Sequence, residues 1–211
     1  MFMLFAKNAP WYVRAIMPPN LIWEIPNANN EVFLTFDDGP HPVATPFVLD
    51  CLQKYNIKAT FFCIGKNVVE YPHIYKRILD EGHSVGNHTM NHLNGFNTST
   101  AKYTGNIIDA QQHIQSLLFR PPYGRIKRSQ AQFYTNEFSN GKIIMWSVLA
   151  GDFDRSLTGN KCFYYVKKYT KSGSIIVFHD SEKAFERLKV ALPLTLEWLT
   201  ANKLNAVAIK D

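Results

Sequence analysis

The sequence predicts an α/β protein built on a parallel sheet. From residue 31 onward, short apolar runs alternate with longer amphipathic runs, in a chain of 211 residues that is 46% hydrophobic and 19% charged. Short apolar runs are typical of buried strands, and longer runs with helical periodicity are typical of helices that cover a sheet. Polar and glycine residues follow several predicted strands, where α/β folds place their active sites. Strand and helix in alternation indicate a parallel sheet, either open or closed as a barrel.

The predicted elements follow one another without an internal repeat or a linker, so residues 31–211 are expected to form one domain. Strands are expected at residues 32–36, 59–64, 84–87, 143–148, 174–178 and 205–209. Helices are expected between them, at residues 46–55, 74–81, 100–118, 129–138, 159–170 and 182–201.

Residues 1–30 have a different composition, rich in aromatic residues, proline and asparagine, which predicts an irregular arm. Its apolar side chains, Trp11, Leu21, Ile22 and Trp23, are expected to pack on the domain. Peripheral contact with a membrane is the alternative, but the arm has few basic residues to bind anionic lipid. No apolar run reaches the about 20 residues that cross a bilayer, and no secretory signal is evident before Lys7. A cytoplasmic location is therefore expected.

The charge distribution and the cysteine content limit which binding partners are expected. The net charge is +6, and the basic excess lies in the second half, in clusters at residues 120–128 and 161–171. Such clusters attract an anionic glycan, a lipid headgroup or nucleic acid. Because no nucleic-acid-binding motif accompanies them, they are interpreted as solvated helix faces, and no nucleic-acid partner is expected. The three cysteines lack any C-x-x-C spacing and are expected to be reduced. The oligomeric state is not readable from the sequence.

Two adjacent carboxylates, Asp37 and Asp38, end the first strong predicted strand and precede Gly39-Pro40. An ordinary Asp-Gly turn explains one carboxylate but not both. Adjacent residues at a strand end point in different directions, so one carboxylate can bind a metal while the other faces the reacting atom.

The histidine pair His88 and His92 follows the third predicted strand. An i, i+4 spacing places both imidazoles on one face of a helical turn, where they can share a cation. With Asp38 the set becomes His2Asp, which leaves an open coordination position and therefore predicts a catalytic metal site. The remaining histidines, apart from His179, are interpreted as structural or surface residues: His41, His73, His83 and His113.

Four motifs occur in a fixed order along the chain. Residues 35–40 read TFDDGP, residues 88–92 read HTMNH, residues 120–124 read RPPYG, and residues 177–179 read VFH at the end of an apolar strand. In these motifs the sequence resembles the polysaccharide deacetylase family, also called the NodB-homology or carbohydrate esterase 4 group, from about residue 31 to the C-terminus. Val177 stands where the family usually has leucine. The resemblance implies a distorted, incomplete (β/α) barrel.

The resemblance also implies hydrolysis of an N-acetyl group from an amino sugar in a glycan. Asp38, His88 and His92 would hold Zn²⁺, with Co²⁺, Ni²⁺, Mn²⁺ or Fe²⁺ as alternatives. The ion would polarise the amide carbonyl and lower the pKa of a water molecule from about 16 towards 7. Asp37 would act as the general base, and Arg120 would pair with it and keep it ionised.

Two further residues complete the implied mechanism. The backbone N–H of Tyr123 would bind the oxyanion, and His179 would protonate the departing amine. A further family motif, the fourth in the family's order, lies between RPPYG and VFH and departs from the usual pattern. LAGDF stands where D-x-x-D-W is usual, with Leu149 and Phe153 at the altered positions. Asp152, or less plausibly Asp154, is expected to supply the carboxylate that supports His179.

Three alternatives stay open at this point. The substrate could be a small lipid- or nucleotide-linked sugar, with an acetyl or a formyl group, rather than a polymer. The altered fourth motif and the basic second half also fit a catalytically impaired module that binds glycans. A non-haem Fe(II) oxygenase would use a His2Asp triad, but it has no evident task for Asp37 and His179.

Overall fold

A parallel sheet forms the centre of the computed structural model, which describes residues 11–26 and 28–210. The described part of the chain contains these strands: β1 (Leu21–Ile22), β2 (Glu31–Asp37), β3 (Thr60–Cys63), β4 (Ser84–Asn87), β5 (Leu118–Phe119), β6 (Lys142–Ile144), β7 (Val148–Leu149), β8 (Ile175–His179) and β9 (Asn205–Ala206). The helices are α1 (Trp11–Ile16), α2 (Ala44–Lys54), α3 (Gly65–Glu70), α4 (Pro72–Asp80), α5 (Thr100–Gln111), α6 (Arg128–Glu137), α7 (Gly159–Tyr169) and α8 (Glu182–Ala201).

The strands follow the order β1-β6-β5-β4-β3-β2-β8-β7, and β9 pairs with the start of β2. All of these neighbours are parallel, so their carboxyl ends lie on one rim. In the register of β2 with β8, Asp37 is paired with His179. Two of the predicted site residues are therefore direct neighbours on the rim.

The sheet curls into the distorted, incomplete barrel that the family resemblance implied. Strand β6 pairs with β5, while β7, which follows it closely in the chain, pairs with β8 on the far side. Residues 145–147, between these two strands, belong to neither strand. The N–H group of Met145 donates a hydrogen bond to the carbonyl oxygen of Ile22, and that of Ser147 donates to the carbonyl oxygen of Ile175. The barrel is therefore interrupted at this point of its wall.

Alternate side chains of a strand face either the interior of the barrel or the helices outside it. Val32, Leu34 and Phe36 belong to the apolar layer beneath α2 and α8. Phe33 belongs to the second apolar layer, which also contains side chains of β5 and β6. Because alternate residues of a strand face opposite sides, Asp37 shares the interior side with Phe33.

Several helices begin at polar residues that satisfy free backbone N–H groups. Ser99 accepts a hydrogen bond from the N–H of Lys102 at the start of α5, and Thr158 accepts one from Lys161 at the start of α7. Such caps stabilise a helix by about 1 kcal/mol. Helix α8 spans the residues predicted from the sequence. None of the helices in the described residues combines the length and apolar character needed to cross a bilayer.

Helix α3 was not predicted, and β9 is shorter than the predicted strand at residues 205–209. Two further differences concern elements near the site. The helix expected at residues 100–118 ends at Gln111, because Leu118 and Phe119 are buried as strand β5 between β4 and β6. The single strand expected at residues 143–148 is split into β6 and β7. The break lies at Ile144 and Met145. Their carbonyl oxygens accept hydrogen bonds from the Arg120 side chain instead of from a neighbouring strand.

The predicted arm contains regular structure where it is described. Helix α1 and strand β1 lie in it, and β1 adds to the sheet beside β6, so the irregular conformation expected there is wrong for these residues. Leu21 and Trp23 are buried, and Ile22 packs against the same apolar layer. Residues 1–10 and the side chain of Trp11 lie outside the described residues. The division into an arm of residues 1–30 and a domain of residues 31–211 stays a prediction.

Candidate active site

A buried ion pair lies at the centre of the candidate site. Arg120 is fully buried, and its NH1 atom donates to Asp37 Oδ1 and to Thr35 Oγ1, each at 2.7 Å. The other guanidinium nitrogens donate to the carbonyls of Ile144 and Met145, and the guanidinium carbon lies 4.0 Å from the centre of the Phe62 ring. Arg120 therefore closes the break in the barrel wall and holds the Asp37 carboxylate in one orientation.

The three predicted metal ligands converge beside this pair. Asp38 Oδ1 lies 3.1 Å from His92 Nε2 and 3.6 Å from His88 Nε2. One ligand atom from each residue lies within 4.8 Å of the other two. Asp37 and Asp38 thus point to different partners, as the strand-end argument predicted.

The hydrogen bonds of the two histidines leave their Nε2 atoms for a cation. His88 Nδ1 lies 2.7 Å from the carbonyl oxygen of Arg120, and because a carbonyl only accepts, Nδ1 carries the proton. His92 Nδ1 contacts the Tyr123 hydroxyl at 3.1 Å. Burial, more than any nearby charge, lowers the pKa of His88 to about 4, which keeps this imidazole neutral at pH 7.

These donors fit a divalent metal. The unprotonated Nε2 of His88 faces a carboxylate oxygen, so two hydrogen-bond acceptors oppose each other unless a cation lies between them. Asp38 Oδ1 is buried and has no hydrogen-bond partner among the described residues. Two imidazoles and one carboxylate leave a coordination position open, which is typical of catalytic rather than structural zinc sites.

The histidine loop differs from the helical turn expected from its spacing. Residues 88–92 are not helical, and Thr89 and His92 have φ values of 65° and 54°. The N–H groups of Met90 and Asn91 donate to Asn106 on α5, which holds this loop in place. The ring centres of the two histidines are still 5.0 Å apart, so the ligand pair forms through a left-handed loop.

Backbone strain is concentrated at the site. Besides Thr89 and His92, Asp38 and Tyr123 have positive φ values of 81° and 60°. Such conformations cost about 1–3 kcal/mol each for residues other than glycine and persist only where surrounding contacts enforce them. For Asp38, one such contact is a hydrogen bond of 2.8 Å from the Asn67 side chain to its carbonyl oxygen.

His179 is held by Asp152. Its Nδ1 lies 2.8 Å from Asp152 Oδ1, and its backbone N–H donates to Oδ2 of the same carboxylate at 2.8 Å. Burial opposes protonation, but the adjacent charge and hydrogen bond of Asp152, with the charges of Asp38 and Asp37, raise the pKa of His179 to about 9. His179 is therefore a cation at neutral pH. The Asp154 carboxylate instead accepts hydrogen bonds from Ser156.

Tyr123 lies in a short turn at residues 122–124 that the two preceding prolines stiffen. The backbone N–H groups at the start of a helical turn have no hydrogen-bond acceptor within the turn, and the N–H of Tyr123 is one of them. Its side chain is 46% exposed and contacts His92. The aromatic ring of Tyr123 is therefore part of the site.

A cleft of about 390 Å³ opens above these groups. Its polar lining consists of Asp37, Asp38, His88, His92 and His179. The remaining lining residues are Pro121, Tyr123, Trp146, Leu149, Phe153, Val177 and Lys183. A volume of this size accommodates a sugar unit with its acyl group. Leu149 and Phe153, at the altered positions of the fourth motif, therefore form apolar wall, and the Phe153 ring meets His179 edge-on at 5.1 Å.

Asp180 is a site residue to which the sequence analysis assigned no role. Its Oδ1 accepts the N–H of Gly39 at 3.1 Å, its Oδ2 contacts the Thr45 hydroxyl at 2.5 Å, and its own N–H donates to Asp37 O at 3.1 Å. Asp180 therefore ties the strand end that carries His179 to the loop that carries Asp38. Its position directly after a strand-end histidine was the available sequence signal.

The histidines predicted to be structural lie outside this cluster. His41 Nδ1 accepts N–H groups at the start of α2, and His83 Nδ1 accepts the N–H of Ala59. His73 and His113 are absent from the cleft lining and from the metal-ligand cluster of the described residues. All three cysteines are free, as predicted, and they are also buried.

Fold and site together point to a hydrolase that removes acyl groups. Residues 24–136 match the family model described as polysaccharide deacetylase. A peptidoglycan-N-acetylglucosamine deacetylase of Bacillus cereus is 37% identical over 195 residues, which cover 90% of this chain and 91% of that protein. The chain belongs to the polysaccharide deacetylase family, the NodB-homology group of carbohydrate esterases.

Further relatives agree with this assignment. A chitooligosaccharide deacetylase of a Bradyrhizobium species is 33% identical over 161 residues, covering 73% of this chain and 72% of that protein. The crystal structure of the Bc1960 peptidoglycan N-acetylglucosamine deacetylase has a TM-score of 0.84 at 32% identity and covers 90% of both chains. Other peptidoglycan deacetylases are longer, and this chain spans 56% and 40% of two of them.

Proposed function

We propose that this protein is a metal-dependent deacetylase that removes N-acetyl groups from amino sugars of a glycan, with peptidoglycan N-acetylglucosamine as the foremost substrate. One observation carries the proposal. The Asp38, His88 and His92 cluster lines one cleft together with a carboxylate held by Arg120 and a histidine held by Asp152. Amide hydrolysis needs a base, an electrophile and an acid in this kind of proximity.

A divalent metal held by Asp38, His88 and His92, Zn²⁺ first among the candidates, would polarise the amide carbonyl and make the attacking water more acidic. The chain itself contributes the orientation of these ligands. The hydrogen bond from His88 Nδ1 to the Arg120 carbonyl fixes the imidazole ring, as partners of this kind commonly do for metal ligands.

Asp37 is assigned the role of general base. Its carboxylate accepts the hydrogen bond from Arg120 through Oδ1, and Asp37 also lines the cleft, so Oδ2 can receive the proton of a water molecule. The hydrogen bond of 2.7 Å from Arg120 holds this carboxylate in one orientation for that transfer.

His179 is assigned the role of general acid. It carries a proton at neutral pH, and its Nδ1 is bound to Asp152, which leaves Nε2 for the leaving nitrogen. Proton donation is required because an amine leaves poorly as an anion. The backbone N–H of Tyr123 is assigned to the developing oxyanion, where a preorganised donor contributes about 3–4 kcal/mol in known cases.

The choice between a polymeric glycan and a small sugar precursor is part of this proposal. The similarity to peptidoglycan and chitooligosaccharide deacetylases supports a polymer or an oligomer. The cytoplasmic location expected from the sequence stays a prediction and favours a precursor. Acetate release from a monomer, from oligomers and from whole peptidoglycan would rank the two.

The proposal is tested by acetate release from N-acetylglucosamine oligomers, with chelated protein before and after addition of Zn²⁺. Activity is expected to appear only with the metal. We expect Asp37→Asn to bind Zn²⁺ and to lose nearly all turnover, and His88→Ala to lose both.

Asp109→Asn, on α5, is the control and should behave as the unsubstituted protein does. Three results would contradict the proposal: full activity of the chelated protein, full activity of Asp37→Asn, or glycan binding without turnover in the metal-loaded protein.

A further inference from the structure

We infer that Lys183 determines substrate specificity, by binding a carboxylate that the glycan carries next to the N-acetylated sugar. This inference rests on the proposed function, because it names the class of substrate for the same cleft. Lys183 lies in the first turn of α8, four residues after His179, and it lines the cleft.

The ammonium group of Lys183 lies next to the part of the cleft wall that Phe153 forms. It lies 5.8 Å from the centre of the Phe153 ring, and that ring meets His179 edge-on. An acyl-bearing sugar whose nitrogen approaches His179 therefore places its neighbouring sugar, or a branch on that sugar, within reach of a flexible lysine side chain.

The backbone of Lys183 is tied to the residue that orients His179. Arg187 donates a hydrogen bond from Nη2 to the carbonyl oxygen of Lys183. It also donates one from Nε to the carbonyl oxygen of Asp152, at 2.5 Å. The start of α8 and the Asp152 loop therefore keep one relative position. Lys183 is thereby presented from an anchored backbone.

Unlike Asp37 and His179, Lys183 has no counter-charge among the described residues. Asp37 is paired with Arg120, His179 with Asp152, and Asp38 faces the two histidines. No carboxylate oxygen of the described residues lies within 4.0 Å of the Lys183 ammonium. By contrast, Lys189 on the same helix is paired with Glu186 at 2.8 Å.

An unpaired, solvated ammonium at the wall of an otherwise apolar region favours an anionic ligand group over a neutral one. A carboxylate meets this requirement, since it accepts hydrogen bonds from an ammonium and supplies the missing charge. A neutral chitooligosaccharide has no such group. A glycan with a carboxylate on the adjacent sugar or on its peptide branch does, and such a glycan is the substrate class assigned here.

The test compares two tetrasaccharides of equal length. One contains only N-acetylglucosamine, and the other alternates N-acetylglucosamine with N-acetylmuramic acid, which carries the carboxylate. The Zn²⁺-loaded protein is expected to have a higher kcat/KM for the carboxylated substrate. Lys183→Gln is expected to lower that value about tenfold, the size of one hydrogen bond to a charged group, and to leave the neutral substrate nearly unchanged.

Three comparisons make the test specific. Lys183→Arg should restore most of the preference, and Lys189→Gln, which removes a lysine elsewhere on α8, should leave it unchanged. In the unsubstituted protein, the preference should shrink as salt is raised, because an exposed charge is screened. The salt series tests the inference without any substitution.

The outcomes separate this inference from the proposed function. If the protein released no acetate from either tetrasaccharide or from whole peptidoglycan, that result would contradict the proposed function. Deacetylation of both with equal kcat/KM, or an equal loss on both substrates in Lys183→Gln, would overturn the role of Lys183 while leaving the deacetylase assignment intact.

Discussion

Removing the charge of Asp152 should move the pH range in which the protein is active. The pKa of His179 is about 9 against an ordinary value of 6.5, and the interactions with Asp152 are the largest causes that raise it. Asp152→Asn removes them, while burial continues to oppose protonation, so the pKa should fall from about 9 towards the ordinary value of 6.5. At pH 8 the protonated fraction of His179 would fall from about 0.9 to about 0.03, an approximately 30-fold loss of the acid form.

The sign of the effect follows from the role of His179 as a proton donor. A donor is active below its pKa, so the activity of the unsubstituted protein should decline as the pH rises through about 9. In Asp152→Asn this alkaline decline should move from about pH 9 towards pH 6.5, and part of the lost activity should return on acidification.

The assay is kcat/KM for acetate release across the pH range, with Zn²⁺ content measured for each protein. Asp154→Asn is the matched control, since Asp154 lies in the same loop but its carboxylate accepts hydrogen bonds from Ser156. Its pH profile should match that of the unsubstituted protein. An alkaline decline that stays at about pH 9 in Asp152→Asn, with the metal retained, would refute the assignment of His179 as the acid.

The remaining predictions concern the buried scaffold of the site. Arg120→Met should lower the free energy of unfolding by about 3–5 kcal/mol, because it leaves the buried Asp37 without its partner; urea denaturation measures this, with the exposed Arg155→Met as control. An effect as small as that of the control would contradict the pairing. Gly39→Ala should lower Zn²⁺ affinity and activity, since a Cβ atom there would lie 2.1 Å from Asp180 Oδ2. Gly105→Ala, where no atom lies within 4 Å, should retain both and gain up to about 1 kcal/mol of helix stability. Equal metal binding by the two glycine variants would show that Asp180 does not position the Asp38 loop.

Some elements could be predicted because their signals are local. Strand β4 and helix α8 have the predicted bounds, and each has a clear polar or glycine boundary and a clear periodicity. Strand β5 was missed because two residues are too short for any periodicity. The break between β6 and β7 was missed because its cause, the Arg120 side chain, comes from elsewhere in the sequence.

The candidate site also has features that the sequence predicts and features that depend on the tertiary structure. The sequence by itself determined which chemical groups are present and the order of the strand ends that carry them, and the motifs pointed to the family. The resemblance also implied that Arg120 pairs with Asp37 and that Asp152 supports His179, and the tertiary structure supplied the distances of these pairs. Only the tertiary structure shows that the i, i+4 histidines meet through a left-handed loop rather than a helix, and that Lys183 has no counter-charge among the described residues. Such pairings depend on distances of a few ångströms between residues far apart in the chain, and these distances follow from strand register and packing, which no local pattern encodes.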